Sequence, residues 1–104
     1  MTVFRINTFE VDQGKAAEFV ASQREVASRQ AAIGGFRSRR VLRRASGDRP
    51  FLTYSVVFEF DDWEAAGKFS DAMAVQNAGN TGPADGPNQG WRIVQANFAT
   101  EVEL

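Results

Sequence analysis

A chain of 104 residues with 43% hydrophobic and 24% charged residues is sized for one domain with a modest core, and a formal net charge of −1 gives no general attraction to nucleic acid. Having no cysteine, it has no disulfide framework and no thiol nucleophile; having no histidine, it lacks the commonest metal ligand and the usual general base at neutral pH. No apolar run is long enough to span a bilayer, and the opening MTVFRINTFEV has neither a basic leader nor a cleavage site, so the cytoplasm is the expected location and no membrane partner is expected.

Residues Thr2 to Val11 alternate Val3, Arg5, Asn7 and Phe9 on one face with Phe4, Ile6 and Thr8 on the other, the period of a strand. Asp12 is placed to cap a helix. From Ala16 a stripe of Phe19, Val20, Gln23, Val26, Ala27 and Ala31 recurs at helical spacing and stops at Gly34 and Gly35, a usual C-terminal signal. The run 36–45 is extended but carries Arg37, Arg39, Arg40, Arg43 and Arg44, so it belongs at a sheet edge. Ser46 to Pro50 has turn composition, and Phe51 to Phe60, rich in β-branched and aromatic residues, reads as the core strand of a hairpin with its predecessor.

Asp61 or Asp62 then caps a second helix from Trp63 to about Val75, with Trp63, Ala66, Phe69, Ala72 and Met73 facing inward. Residues 76–90 are Gly, Asn and Pro with almost nothing to bury: a loop, either a lid over a site or a simple insertion. Trp91 to Leu104 reads as the last strand, with Ile93, Phe98 and Val102 as its apolar members and a slip in alternation near Gln95 to Asn97 that suggests a bulge.

The order βαββαβ with right-handed crossovers puts both helices on one face of a four-stranded antiparallel sheet, a ferredoxin-like α+β fold with the first and third strands central. The single domain spans residues 1–104. The opposite sheet face, with Phe4, Ile6 and Val57, is too apolar for water, so a second copy is expected to cover it and form a homodimer.

Three stretches, RINTFEV, GGFRSRRVLR and FEFDDWEAAGKF, the last similar to a W-E-S-x-E-A pattern, resemble the antibiotic biosynthesis monooxygenase family of dimeric α+β barrels over nearly the whole chain. The resemblance implies two sheets facing each other across a dimer and, in each subunit, a pocket between the sheet and its own helices. It also implies one of two chemistries. One branch oxidises polycyclic phenols or quinols with molecular oxygen and no metal or flavin, the substrate carbanion itself reducing oxygen; the other binds and degrades haem. On the haem pattern, Asn7 stands at the pocket asparagine and Phe69 at the helix tryptophan, but the axial histidine falls near Asn77 or Ala78, and the chain has no histidine. On the cofactor-free pattern, a strand asparagine and tryptophan fall at Val56 and Phe60, both apolar here.

The candidate residues divide accordingly. Asn7 can donate an amide hydrogen bond to a forming oxyanion or peroxide; otherwise it is a strand asparagine satisfied by a neighbouring backbone group. Arg37 and Arg39 alternate onto one face and can hold a carboxylate or phenolate, or else form a solvated edge that resists strand pairing. Tyr54 is placed to handle a phenolic proton or to sit at a core boundary, Trp63 to line a pocket or else to serve in the core or an interface, and Trp91 with Arg92 to close over a ligand or meet a dimer seam. Phe9, Val56, Phe58, Phe60, Phe69 and Met73 form either the apolar wall of a pocket or ordinary core.

The expected activity is therefore oxidation of a phenolic or quinol-type aromatic by a small monooxygenase with no cofactor. The alternative is a non-catalytic dimer that binds a small hydrophobic metabolite or serves as an accessory subunit. Nucleic-acid binding through the arginines between Arg37 and Arg49 is not expected, because the charge is local and lacks interleaved aromatics. GNTGPADGPNQG has no Lys-Ser or Lys-Thr to make a phosphate loop, and Asp61, Asp62 and Glu64 are better explained by the helix dipole than by a metal.

Overall fold

The alternating first run folds as β1 (Val3–Asp12), and its period of two fixes which side chains meet the helices. The computed structural model describes residues 1–45, 51–78 and 89–104. In chain order the later elements are α1 (Ala16–Ile33), β2 (Ser38–Arg43), β3 (Phe51–Phe60), α2 (Trp63–Ala78) and β4 (Trp91–Thr100). They build an α+β, ferredoxin-like fold around one antiparallel sheet of order β2-β3-β1-β4, which puts the apolar β1 and β3 in the centre and the arginine-rich β2 at an edge. No helix of the described residues is long and apolar enough to cross a membrane.

The register sorts the side chains into rows. On the helix-covered face, Phe98, Arg5, Phe58 and Arg39 lie side by side across β4, β1, β3 and β2. The next row is Ala96, Asn7, Val56 and Val41, and the one after it is Ile93, Phe9, Tyr54 and Arg43. Every even-numbered residue of β3 from Leu52 to Phe60 is buried on that face. Two aromatic clusters fill the space beneath the helices. In one, Phe19 packs against Phe9 at 5.2 Å, Tyr54 at 4.9 Å and Trp91 at 5.6 Å between ring centroids. In the other, Phe69 lies 5.0 Å from Phe58, 5.5 Å from Phe60 and 5.6 Å from Phe36. Each fully buried phenylalanine contributes on the order of 1.5–3 kcal/mol, so these clusters hold the helices to the sheet.

Several local expectations are corrected. Asp12 makes no capping bond; a 3₁₀ turn, Gln13–Lys15, intervenes before α1, and the Asp12 carboxylate instead lies 3.8 Å from Arg92. On α1 the buried positions are Phe19, Gln23 and Gln30, whereas Ala31 is exposed. Gly34 ends that helix with φ +71°, and its N–H donates to Gln30 O at 3.1 Å. Asp62, not Asp61, caps α2, its Oδ1 accepting from the Ala65 N–H at 2.8 Å. Trp63 does not join the inward stripe of α2; it is 54% exposed and meets Phe98 at 5.7 Å. The register of β4 on β1 shifts between Thr8 and Phe9, leaving Val94 as the extra residue, one position before the stretch the sequence suggested. β4 ends at Thr100, short of Val102. The 46–50 turn and residues 79–88 of the supposed loop lie outside the described residues, while its first residues continue α2 to Ala78.

Candidate functional site

Between the two aromatic clusters the helix-covered face turns polar. Asn7 sits in the central strand with Val56 on one side and Ala96 on the other, and its Oδ1 is buried with no hydrogen-bond partner among the described residues. Two positions away on the same face, the Nη1 of Arg5 is likewise buried and unpartnered. An orphaned acceptor and an orphaned donor thus belong to residues two positions apart on the helix-covered face of a central strand. Burying such groups unpaired opposes folding, and native structures rarely leave them so without a reason.

Arg39 completes the polar centre from β2. Its Nε donates to Gln30 Oε1 at 2.6 Å and its Nη2 to Gln23 Oε1 at 2.7 Å, while the guanidinium lies 5.5 Å from the centroid of the Phe58 ring. Gln30 in turn donates to Met73 Sδ at 3.7 Å, which ties α1 to α2 over the sheet. The two glutamines occupy inward positions of α1 that a purely apolar helix face would fill with leucine, and both are used to hold Arg39. Desolvation by burial lowers the pKa of both Arg5 and Arg39 from the ordinary arginine value.

The other sequence candidates separate around this centre. Phe9, Tyr54 and Trp91 belong to the Phe19 cluster; Phe58, Phe60 and Phe69 belong to the second cluster; Val56 lies between them, in the same row as Asn7. Met73 is half-buried at the polar centre through Gln30. Arg37 does not join them: it precedes β2, is exposed, and its Nε lies 3.4 Å from Asp61 Oδ1. That pair sits beside a cleft of about 520 Å³ between the end of α1 and the start of α2, lined by Ile33, Gly34, Asp61, Asp62 and Lys68 among others. Sequence reasoning passed over Gln30 and gave Arg5 no role. The signal was there in both cases: a polar side chain recurring in an otherwise inward stripe.

Over β4 the helix-covered face is left open to solvent. Ile93 and Phe98, which the register places on the helix-covered face, are 44% and 47% exposed, and Phe98 shares its exposure with Trp63. A flat ligand therefore has an aromatic ledge leading to Arg5, the neighbour of Phe98 in the row. Among the described residues no group of three or more His, Cys, Asp or Glu could hold a metal ion.

No protein-family model and no curated protein sequence matches the chain. Its three-dimensional arrangement does have counterparts. A Bordetella bronchiseptica protein assigned to the antibiotic biosynthesis monooxygenases aligns with TM-score 0.67 over 98% of each chain at 13% identity. SnoaB from Streptomyces nogalater, a cofactor-independent oxygenase, aligns with TM-score 0.62 at 20% identity over 99% of this chain and 95% of its own. The fold is that of the antibiotic biosynthesis monooxygenases. MhuD from Mycobacterium tuberculosis, a haem degrader with two haems bound in its active site, has TM-score 0.60 and 26% identity over 98% of this chain and 96% of its own.

Among proteins of this monooxygenase fold, the haem-binding kind is a poor match for these residues. The chain has no histidine and no cysteine, its single tyrosine, Tyr54, is 7% exposed with its ring against Phe19, and the Met73 sulfur already accepts from Gln30. Nothing at the polar centre is suited to hold haem iron.

Proposed function

We propose that the protein is a cofactor-independent monooxygenase that oxidises a phenolic or quinol-type aromatic in the hollow between its sheet and its helices. The observation that carries this reading is the pair of buried, unpartnered atoms on β1, Asn7 Oδ1 and Arg5 Nη1. A phenolic ligand satisfies both kinds of demand. Its hydroxyl donates to the amide oxygen, and once ionised its oxygen accepts from the guanidinium and the amide nitrogen.

The chemistry needs little more from the chain. Oxygen takes electrons from the ionised substrate, a carbon–oxygen bond forms at the activated ring carbon, and the resulting hydroperoxide loses water as its O–O bond breaks, leaving a carbonyl where a CH₂ stood. One oxygen atom enters the product and the other departs as water, with the two substrate hydrogens. Asn7 and Arg5 hold the negative charge as it shifts from ring to oxygen, in a site dried by Phe58, Val56 and Phe9. Support also comes from SnoaB, a cofactor-independent oxygenase of the same fold.

The test is oxygen uptake with a panel of anthrones, naphthols and quinols. Turnover of at least one member is expected, and Asn7→Ala should lower it by about 10²-fold, the usual loss when one oxyanion donor is removed. Uptake at background across the panel would leave a binding protein in its place.

A further inference from the structure

The pairing of β4 on β1 ends where Thr100 meets Val3, and residues 101–104 run on past the sheet, exposed and outside any strand. Their sequence, Glu-Val-Glu-Leu, alternates charged and apolar side chains at the period of a strand, yet both Val102 and Leu104 are left in solvent. Among the described residues Glu101 and Glu103 take part in no ion pair.

The opposite rim of the sheet shows the complementary lack. β2 pairs with β3 alone, so its outer edge presents N–H and C=O groups with no strand beside them. Its side chains alternate as well, with Arg40, Leu42 and Arg44 on the open face and Arg39, Val41 and Arg43 on the helix-covered one. Arg40, Val41, Leu42 and Arg44 are exposed, and neither Arg40 nor Arg44 has a carboxylate partner among the described residues. A rim so rich in arginine repels a second rim of its own kind, and an acidic strand is what it accepts.

The same chain cannot supply that strand. With the order β2-β3-β1-β4, a strand outside β2 lies four spacings, about 19 Å, from the line of β4, whereas four extended residues reach at most about 14 Å. A second copy is free of this limit and carries the same acidic, apolar segment.

We propose that residues 101–104 of a second copy add to the outer edge of β2, and that two copies exchange these segments about a two-fold axis. Glu101 and Glu103 of the second copy then lie on the open-face side with Arg40 and Arg44, and its Val102 lies beside Val41. The exchange is reciprocal, so it closes on a pair. It rests on no reading of the polar centre, and it adds to face-to-face packing of two sheets the segment and the edge that clasp.

Sedimentation equilibrium of the full chain compares wild type with a reversed segment (Glu101→Arg with Glu103→Arg), a reversed edge (Arg40→Glu with Arg44→Glu), and all four changes together. Each reversal sets like charges against each other and is expected to raise the dimer dissociation constant by about tenfold or more, while the combined variant returns to within about threefold of wild type. The chain has no cysteine, so an introduced pair reports contact directly. Val41→Cys mixed with Val102→Cys should form a disulfide between copies on air oxidation, identified by mass spectrometry of the linked peptides. Val41→Cys mixed with Val75→Cys, which is exposed on α2, should not.

A wild type that stays monomeric, a dimer indifferent to the reversals, or a combined variant no tighter than either reversal alone overturns the proposal. So does the absence of a link between positions 41 and 102, or a link to position 75 formed as readily.

Discussion

Arg5 and Asn7 show how a single residue's position can carry more meaning than its type. Both are polar residues at inward positions of a central strand, where valine or isoleucine would add to stability, and both leave a buried atom without a partner. Their placement was legible from the period of two alone; their lack of partners was not, because partners are set by what α1 and β3 bring across, and that is tertiary. Arg37 and Arg39 make the same point from the other side. They share a parity in sequence, yet Arg39 is half-buried against two glutamines while Arg37 pairs with Asp61 in solvent. Arg37→Ala should therefore cost less than about 1 kcal/mol by thermal melting, as exposed ion pairs do, and leave oxygen uptake as it was.

Burial lowers the pKa of Arg5 and Arg39, but both remain cations throughout the neutral range, so they contribute no titration of their own there. Stability linked to them rises with pH only at the alkaline extreme, since the folded state holds their protons less tightly than the unfolded chain. The pH dependence of binding a phenol should come from the phenol itself. With the anion as the bound form, affinity rises as pH climbs through the free phenol's pKa and then levels off, which fluorescence titration at stepped pH will read.

At the scale of elements, runs with a strong period were the legible ones. β3 has the limits its β-branched and aromatic composition suggested, and α1 stops at the glycine whose positive φ no other residue adopts easily. What the sequence left open were choices made by geometry at element ends. Two adjacent aspartates precede α2, and only the backbone path decides that Asp62 meets the Ala65 N–H; Asp62→Ala should lower stability by about 1 kcal/mol in a denaturant melt, with Asp61→Ala close to neutral.

Trp63 fits the helical stripe by spacing but lies in the first turn, where the helix has not yet come down onto the sheet, so it reaches sideways to Phe98. In β4 the extra residue at Val94 inverts parity. Trp91 and Ile93 before it share a face with Ala96 and Phe98 after it, which no uninterrupted alternation permits.

The molecule as a whole is a slab, 41 × 38 × 18 Å, with a Cα radius of gyration of 14.4 Å, against about 13 Å for a compact domain of this length. One side of the sheet carries both helices. The other carries Phe4, Ile6 and Val57, only partly covered by their neighbours. A second copy covering that side would leave the polar centre of Arg5, Asn7 and Arg39, on the opposite face, untouched. Sedimentation velocity is expected to show a dimer, and Ile6→Glu, in the middle of the open face, should return monomers.

The kink at Val94 also limits how far association can go. Strand-by-strand growth needs a straight, bare rim, and this sheet offers none: β2 lines its rim with guanidinium groups, and β4 is bent midway. Beyond the short segment that β2 accepts, that leaves the broad open face, which a single second copy would use up, as the place for association. Crowding should drive such chains into closed pairs, and fibres have no template from which to start.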